Sequence, residues 1–288
     1  MRYEAPRTLS DATGMLASCQ GVARVLAGGT DLLVALRSGF VEPELVVDIK
    51  RIPGMAEIVA EDGGWRVGAA VPGAALGRHD GVCRAWPGVV EAVELIGSTQ
   101  IQGRATMVGN LCNASPAADS VPAMMAAGAL ARIAGPDGKE RDVPVGDVAT
   151  GPGVTSLAPG ELVASIFLPE APARSGDAYL RLIPRTEMDI AVVGAAVSLT
   201  LDDGGCCAAA KVVLGAVGPR ALVVEDGAAA IIGTTLDDDS LAALEAAASA
   251  AARPIDDKRG TVPYRRKVAG VLARRAARIA GTRAGENR

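Results

Sequence analysis

The chain has 288 residues, enough for one large domain or two modest ones with a proper core. Hydrophobic residues make up 49% and charged residues 22%, an ordinary globular balance, and no apolar run approaches the roughly 20 residues that span a bilayer. A net charge of -4 and an aromatic content of 2% exclude a nucleic-acid-binding protein built on basic patches and stacking platforms.

The N-terminal MRYEAPRTLSDA lacks the apolar core of a signal peptide, so a cytoplasmic location is expected. Residues 8–18 set Leu9, Ala12, Met15 and Leu16 on one helical face, with Thr8 as cap and Asp11 three positions on. Residues 23–27 read as a buried strand that ends in Gly28-Gly29-Thr30-Asp31, followed by a helix stopped by Gly39. The amides of residues 28–31 would point into one concavity of the kind that holds phosphates, although a plain tight turn fits the same letters. The segment is neither G-x-G-x-x-G nor a Walker loop.

Residues 45–49 form a further strand, and 58–60 with 65–69 a hairpin across Glu61-Asp62-Gly63-Gly64. His79, the single histidine, lies in GRHDG and reads as a solvated surface residue. With no G-x-S-x-G, a serine hydrolase has no support. Residues 87–96 read as a helix with Pro87 first and Gly97 after it. Then comes RATMVGNLCNASPAADSVPA, residues 104–123, expected as a small-residue loop entering a helix over 122–130 with Asp119 as its cap. Such a loop either merely connects elements or receives an anionic group such as a diphosphate.

A second hairpin turns at residues 136–139, residues 143–159 are loop-rich, and 161–168 read as a strand. PEAPARSG, residues 169–176, is the expected linker. After it come strands over 179–183, 190–201 and 206–217, a helix over 241–252 capped by Asp239 or Ser240, and a basic terminal helix from about residue 263. A solvated face accounts for that helix's charges, with an acidic partner subunit as the alternative. The five cysteines, Cys19, Cys83, Cys112, Cys206 and Cys207, form no C-x-x-C and suggest reduced thiols, with neither a disulfide framework nor a metal or cluster site.

Together, residues 26–32 (LAGGTDL) and 105–119 (ATMVGNLCNASPAAD) resemble the flavoprotein subunit of the molybdenum hydroxylases, the family of xanthine and carbon monoxide dehydrogenases. The resemblance covers essentially the whole chain. It implies an α+β fold: a two-part FAD-binding domain of the vanillyl-alcohol-oxidase (PCMH) type over residues 1–170, then a small α+β C-terminal domain over 177–283, an antiparallel sheet plus helices. It also implies that Val25, Leu26, Ala27, Gly28, Gly29, Thr30, Asp31 and Leu32 line the FAD diphosphate. The family's second motif, Thr/Ser-x-Gly-Gly-Asn, reads Thr106-Met107-Val108-Gly109-Asn110 here, so Val108 replaces a glycine. By the same resemblance Thr106, Gly109, Asn110 and Cys112 belong to the cofactor site, and Asn113, Ser115 and Asp119 reach the diphosphate, ribose or adenosine side. Leu162 and Val163 match apolar contacts, Arg181 a cation that steadies the reduced ring, and Asp189 and Ile190 an element beside the isoalloxazine.

The resemblance further implies an FAD-carrying electron-transfer subunit with no side-chain acid–base catalyst. The molybdenum cofactor and 2Fe–2S clusters are then expected on a large and a small partner subunit, in a dimer of heterotrimers, with NAD, oxygen, a quinone or another carrier as acceptor. A stand-alone oxidase of the same FAD fold is one rival, for which the C-terminal part looks too small. A non-enzymatic assembly module is the other.

Overall fold

Three short strands make the first sheet of the structure, a computed structural model that describes residues 1–287. Arg2–Glu4 and Ala23–Leu26 each pair in parallel with the central strand Leu45–Asp48, whose four residues are all buried. Full burial is what a parallel strand covered on both faces requires. The helix Leu9–Ser18 begins as the capping pattern implies, with the Thr8 hydroxyl accepting the Asp11 N–H at 3.1 Å.

The second sheet is antiparallel and runs Ile58–Glu61, Gly64–Gly68, Leu162–Leu168, Leu130–Ala134, Glu140–Pro144 across its five strands. Both expected hairpins are present as its outer pairs. Its centre is Leu162–Leu168, which arrives late in the chain and inserts between them.

The third sheet joins Ser175–Leu182, Val193–Leu201, Cys207–Gly215 and Leu222–Val223, antiparallel throughout. Side chains alternate along these strands and both faces are buried. Ala178, Ala195, Val197 and Leu199 pack toward the helices Asp238–Ala251 and Val262–Glu286. Tyr179, Ala196 and Val213 face the other way and join the core of the first two sheets. Ala269, Ala273, Ala276, Ala280 and Ala284 are all buried on the long helix, and their small side chains bring it close to the sheet.

Several boundaries differ from expectation, each for a local reason. The helix expected over 122–130 is Ser120–Ala126, because Leu130 already belongs to a sheet strand. The helix expected from residue 241 starts at Asp238, since Asp237 caps it by accepting the Ser240 N–H at 2.9 Å. The strand expected from Ile190 begins at Val193. His79 is half-buried rather than a plain surface residue: its Nδ1 accepts the Val82 N–H at 3.2 Å, and its ring meets Trp65 edge-on at 4.5 Å. Residues 175 and 176 of the expected linker already belong to a buried strand.

Asp177 of that strand packs against Gly88 at the start of the helix Pro87–Glu94, and its Oδ1 is buried without a partner. Burial pushes its carboxyl up to about 7, while the N–H groups of Gly88 and Val89 and the Arg283 guanidinium pull against that and Glu91 adds to it. The folded-state value lies above the unfolded one of about 3.9, so this stabilisation is complete below that value and is lost as pH rises toward 7. Asp177→Asn is therefore expected to flatten the fall in unfolding free energy across that window, measured by urea titration at successive pH values. An unchanged slope would show that Asp177 carries no such linkage.

Candidate functional site

The strand Ala23–Leu26 ends against a second segment of the chain, and the contact is backbone to backbone. A Cβ on Gly28 would lie 2.0 Å from the Arg104 carbonyl oxygen, where ordinary contact is 3.4–4 Å, so only glycine fits there. Arg104 Nε also donates to the Gly28 carbonyl at 3.4 Å. Next, Gly29 adopts φ +80, which turns the chain toward the helix Leu32–Arg37. The turn is held from behind: Lys50 Nζ donates to the Ala27 carbonyl at 3.1 Å and pairs with Asp48 at 2.8 Å, and Tyr3 donates to Asp48 at 2.6 Å. Burial alone would raise the Asp48 carboxyl, but the Lys50 and Tyr3 hydrogen bonds outweigh it and hold the group below the usual carboxylate range. Among the described residues, the N–H groups of Gly28, Gly29, Thr30 and Asp31 donate to no protein acceptor. Unpaired backbone donors in this number await an external acceptor or water.

The second segment is helical where the letters suggested a loop. Thr106 caps the helix Met107–Cys112, its hydroxyl accepting the Gly109 N–H at 2.9 Å. Val108 sits inside this helix, outside the set of residues with positive φ, so its branched side chain is compatible with the backbone there. Asp119 is not the side-chain cap it was expected to be. Instead Asn110 reaches across, and its Oδ1 accepts the Ser120 N–H at 3.2 Å and the Ser120 hydroxyl at 2.7 Å.

Between the two segments lies a cavity of about 500 Å³, a size suited to a small-molecule ligand. Of the residues singled out from sequence, Val25, Ala27, Gly28, Gly29, Thr30, Asp31, Leu32, Thr106, Gly109, Asn110, Cys112, Asn113, Leu162 and Val163 line it. Desolvation pushes the Asp31 carboxyl up even though the residue is exposed at the cavity wall.

Six others lie elsewhere. Leu26 is tucked into the core beneath the turn. Ser115 accepts the Ala117 N–H within its own loop. Asp119 is buried and takes Tyr179 Oη at 2.8 Å and Arg181 Nη1 at 2.6 Å, so Arg181 is a paired rather than a free cation. Burial raises the Asp119 carboxyl, and the Arg181 guanidinium and Tyr179 hydroxyl work against that. Asp189 bridges Arg185 at 3.1 Å and Arg259 at 3.4 Å, and Ile190 beside it is 52% exposed.

The wall also contains residues that sequence reasoning did not single out, including Arg24, Phe40, Ile49, Ile96, Thr155, Leu157 and Glu161. Thr155 and Leu157 come from the stretch read only as loop, and no local pattern marks them. Glu161 directly precedes Leu162 and could have been found by extending that assignment by one residue.

Comparison with known proteins identifies the family of this fold. The family described as the FAD binding domain in molybdopterin dehydrogenase matches residues 1–171, and the CO dehydrogenase flavoprotein C-terminal domain matches residues 178–280. The carbon monoxide dehydrogenase medium chain of Afipia carboxidovorans is 35% identical over 98% of this chain and 97% of its own. The xanthine dehydrogenase FAD-binding subunit of Escherichia coli O157:H7 is 36% identical over 70% of this chain and 69% of its own. Among solved structures, reconstituted CO dehydrogenase from Oligotropha carboxidovorans superposes with a TM-score of 0.93 at 34% identity, covering 98% of each chain. Quinoline 2-oxidoreductase from Pseudomonas putida 86 gives a TM-score of 0.91 at 28% identity, covering 99% of this chain and 98% of that one.

Fold and cleft thus define a subunit of an oxidoreductase, with an FAD-binding domain followed by a flavoprotein C-terminal domain. The chain belongs to the FAD-subunit family of the molybdenum hydroxylases, the xanthine and carbon monoxide dehydrogenase type.

Cys112 tests the character of the cavity wall. Cys112 lines the cavity and is half-buried, yet the burial of its thiol pushes the group up to about 12, so the nucleophilic thiolate is almost absent at neutral pH. In the folded chain Cys112 is expected to escape iodoacetamide at mildly alkaline pH and to become alkylated after unfolding, as read by peptide mass spectrometry. Rapid labelling of the folded chain would contradict an inert wall.

Proposed function

We propose that the cavity between Gly28 and Asn110 holds FAD and that the chain is the electron-transfer subunit of a multi-subunit molybdenum hydroxylase. The observation that carries this reading is the row of unpartnered amides at residues 28–31 beside a cavity of about 500 Å³. Those donors match the acceptor oxygens of a diphosphate. In this reading Gly28, Gly29, Thr30 and Asp31 hold the diphosphate by their backbone, and Thr106, Gly109, Asn110 and Asn113 flank it. Leu162 and Val163 offer an apolar contact from the second sheet. When bound, FAD supplies two-electron storage between 2Fe–2S clusters on a partner chain and an external acceptor. The protein's own part is to bind, orient and shield it.

The pairing of Arg181 with Asp119 changes the roles expected for both. Their charges offset each other away from the cavity wall, so Arg181 does not stand there as a free cation. Ser115, Asp189 and Ile190 stand outside the cavity, and this proposal gives them no direct contact there.

Leu33, Val34 and Phe40 are 46%, 65% and 89% exposed next to the cavity. Exposed apolar side chains at this end of the molecule favour cover by another chain over a stand-alone oxidase. The partners in this reading are a large molybdenum-cofactor subunit and a small iron–sulfur subunit in a dimer of heterotrimers, acting in the cytoplasm. No helix among the described residues is long and apolar enough to cross a membrane.

The test is a spectrum and a variant. The purified full chain is expected to take up FAD, turn yellow and oxidise no small substrate until partner chains are added. Gly28→Val is expected to lose FAD uptake with an unchanged far-ultraviolet circular dichroism spectrum, because its side chain forces the two segments apart. A colourless wild-type chain, or a Gly28→Val chain that binds FAD normally, would refute the assignment of the cleft.

A further inference from the structure

Tyr179 lies in the third sheet, outside the proposed cofactor cleft, yet hydrogen bonds on either side of the Asp119–Ser120 peptide link connect it to the cleft wall. Its side chain is nearly fully buried, at 2% exposure. The hydroxyl donates to Asp119 Oδ1 at 2.8 Å, and Arg181 Nη1 takes Oδ2 at 2.6 Å, so both carboxylate oxygens are held by one strand. Asp119 immediately precedes Ser120, the first residue of the helix Ser120–Ala126. Ser120 in turn donates through both its N–H and its hydroxyl to Asn110 Oδ1, and Asn110 lines the cavity.

Two features make this more than proximity. A backbone N–H can only donate, so the Ser120 amide dictates which end of the Asn110 side chain faces it. Asn110 is left with its pair of N–H donors to offer a ligand. In addition Asp119 makes no side-chain cap on its own helix, so its orientation is set by Tyr179 and Arg181 rather than by local turn geometry.

We infer that Tyr179 is a positioning residue for the cofactor site, acting through Asp119 and Ser120 to fix the rotamer of Asn110. The inference rests on the proposal that this cavity is the FAD site. Removing the hydroxyl leaves Asp119 Oδ1 buried without its donor, and such a group rearranges to find another. The helix start then shifts, and Asn110 Oδ1 loses the fixed donors on Ser120.

A double-mutant cycle on FAD affinity in the full chain tests this, with binding read by quenching of flavin fluorescence. Tyr179→Phe is expected to weaken FAD binding by about tenfold, the size of one lost buried hydrogen bond. In an Asn110→Ala background the same substitution is expected to cost nothing further in affinity, while its penalty on thermal stability persists. A merely structural role would move stability and affinity alike in both backgrounds. If Tyr179→Phe does not fold, Asp119→Asn, which weakens the acceptor that Tyr179 holds, takes its place against Asn110→Ala in the cycle. Additive affinity penalties, or a Tyr179→Phe affinity equal to wild type, would overturn the inference while leaving the FAD site intact. A wild-type chain that takes up no FAD would overturn both.

Discussion

The contact between Gly28 and the Arg104 carbonyl is the constraint on which the rest of the site depends. It brings two stretches distant in sequence to a separation that no side chain tolerates, with a hypothetical Cβ only 2.0 Å from the oxygen. The cavity opens beside this contact, and elements on both sides keep it in place. Lys50, Asp48 and Tyr3 anchor the first stretch to the parallel sheet, and Thr106 closes the start of the helix that carries the second. In the proposed reading such fixed walls favour binding of a large anionic cofactor, because donors already in position are not ordered at the moment of binding.

The second organising feature is the third sheet, which is buried on both faces. One face rests on the alanine-lined terminal helix, and the other contributes Tyr179, Ala196 and Val213 to the core beneath the cleft. The flavoprotein C-terminal domain is therefore part of the wall support and not an appended module. Charged groups at this seam occur in partnered sets: Asp119 with Arg181, and Glu91 with Arg283, which also donates to the Asp177 carbonyl at 2.6 Å. Burying an ion costs several kcal/mol unless a partner offsets it, so these sets fix one arrangement of the two parts against others. Asp177, whose Oδ1 is left without a partner and whose carboxyl burial pushes up to about 7, adds pH sensitivity at this seam.

Much of this was legible in the sequence because the signals are local. The Thr8 cap, the hairpins at residues 61–64 and 136–139, and the glycine turn after Leu26 each follow from a few adjacent residues. The resemblance of residues 26–32 and 105–119 to one family supplied most of the cavity wall. What escaped depends on distant partners. Asp119 reads as a helix cap in any window, and only the folded chain shows Asn110 taking that task while Asp119 turns to Tyr179 and Arg181. Thr155 and Leu157 reach the cavity from a stretch whose composition says only loop. Val108 breaks the family motif in letters, yet the right-handed helix at that point accepts it without strain.

The central claim is that two separate segments act as one cofactor site. Hydrogen–deuterium exchange of the full chain with and without FAD measures it directly, since the amides of residues 28–31 have no protein acceptor to protect them among the described residues. The account predicts that FAD slows exchange at residues 28–31 and at residues 107–110 together, at one saturating concentration. Protection confined to one segment, or appearing elsewhere while both continue to exchange freely, would contradict it.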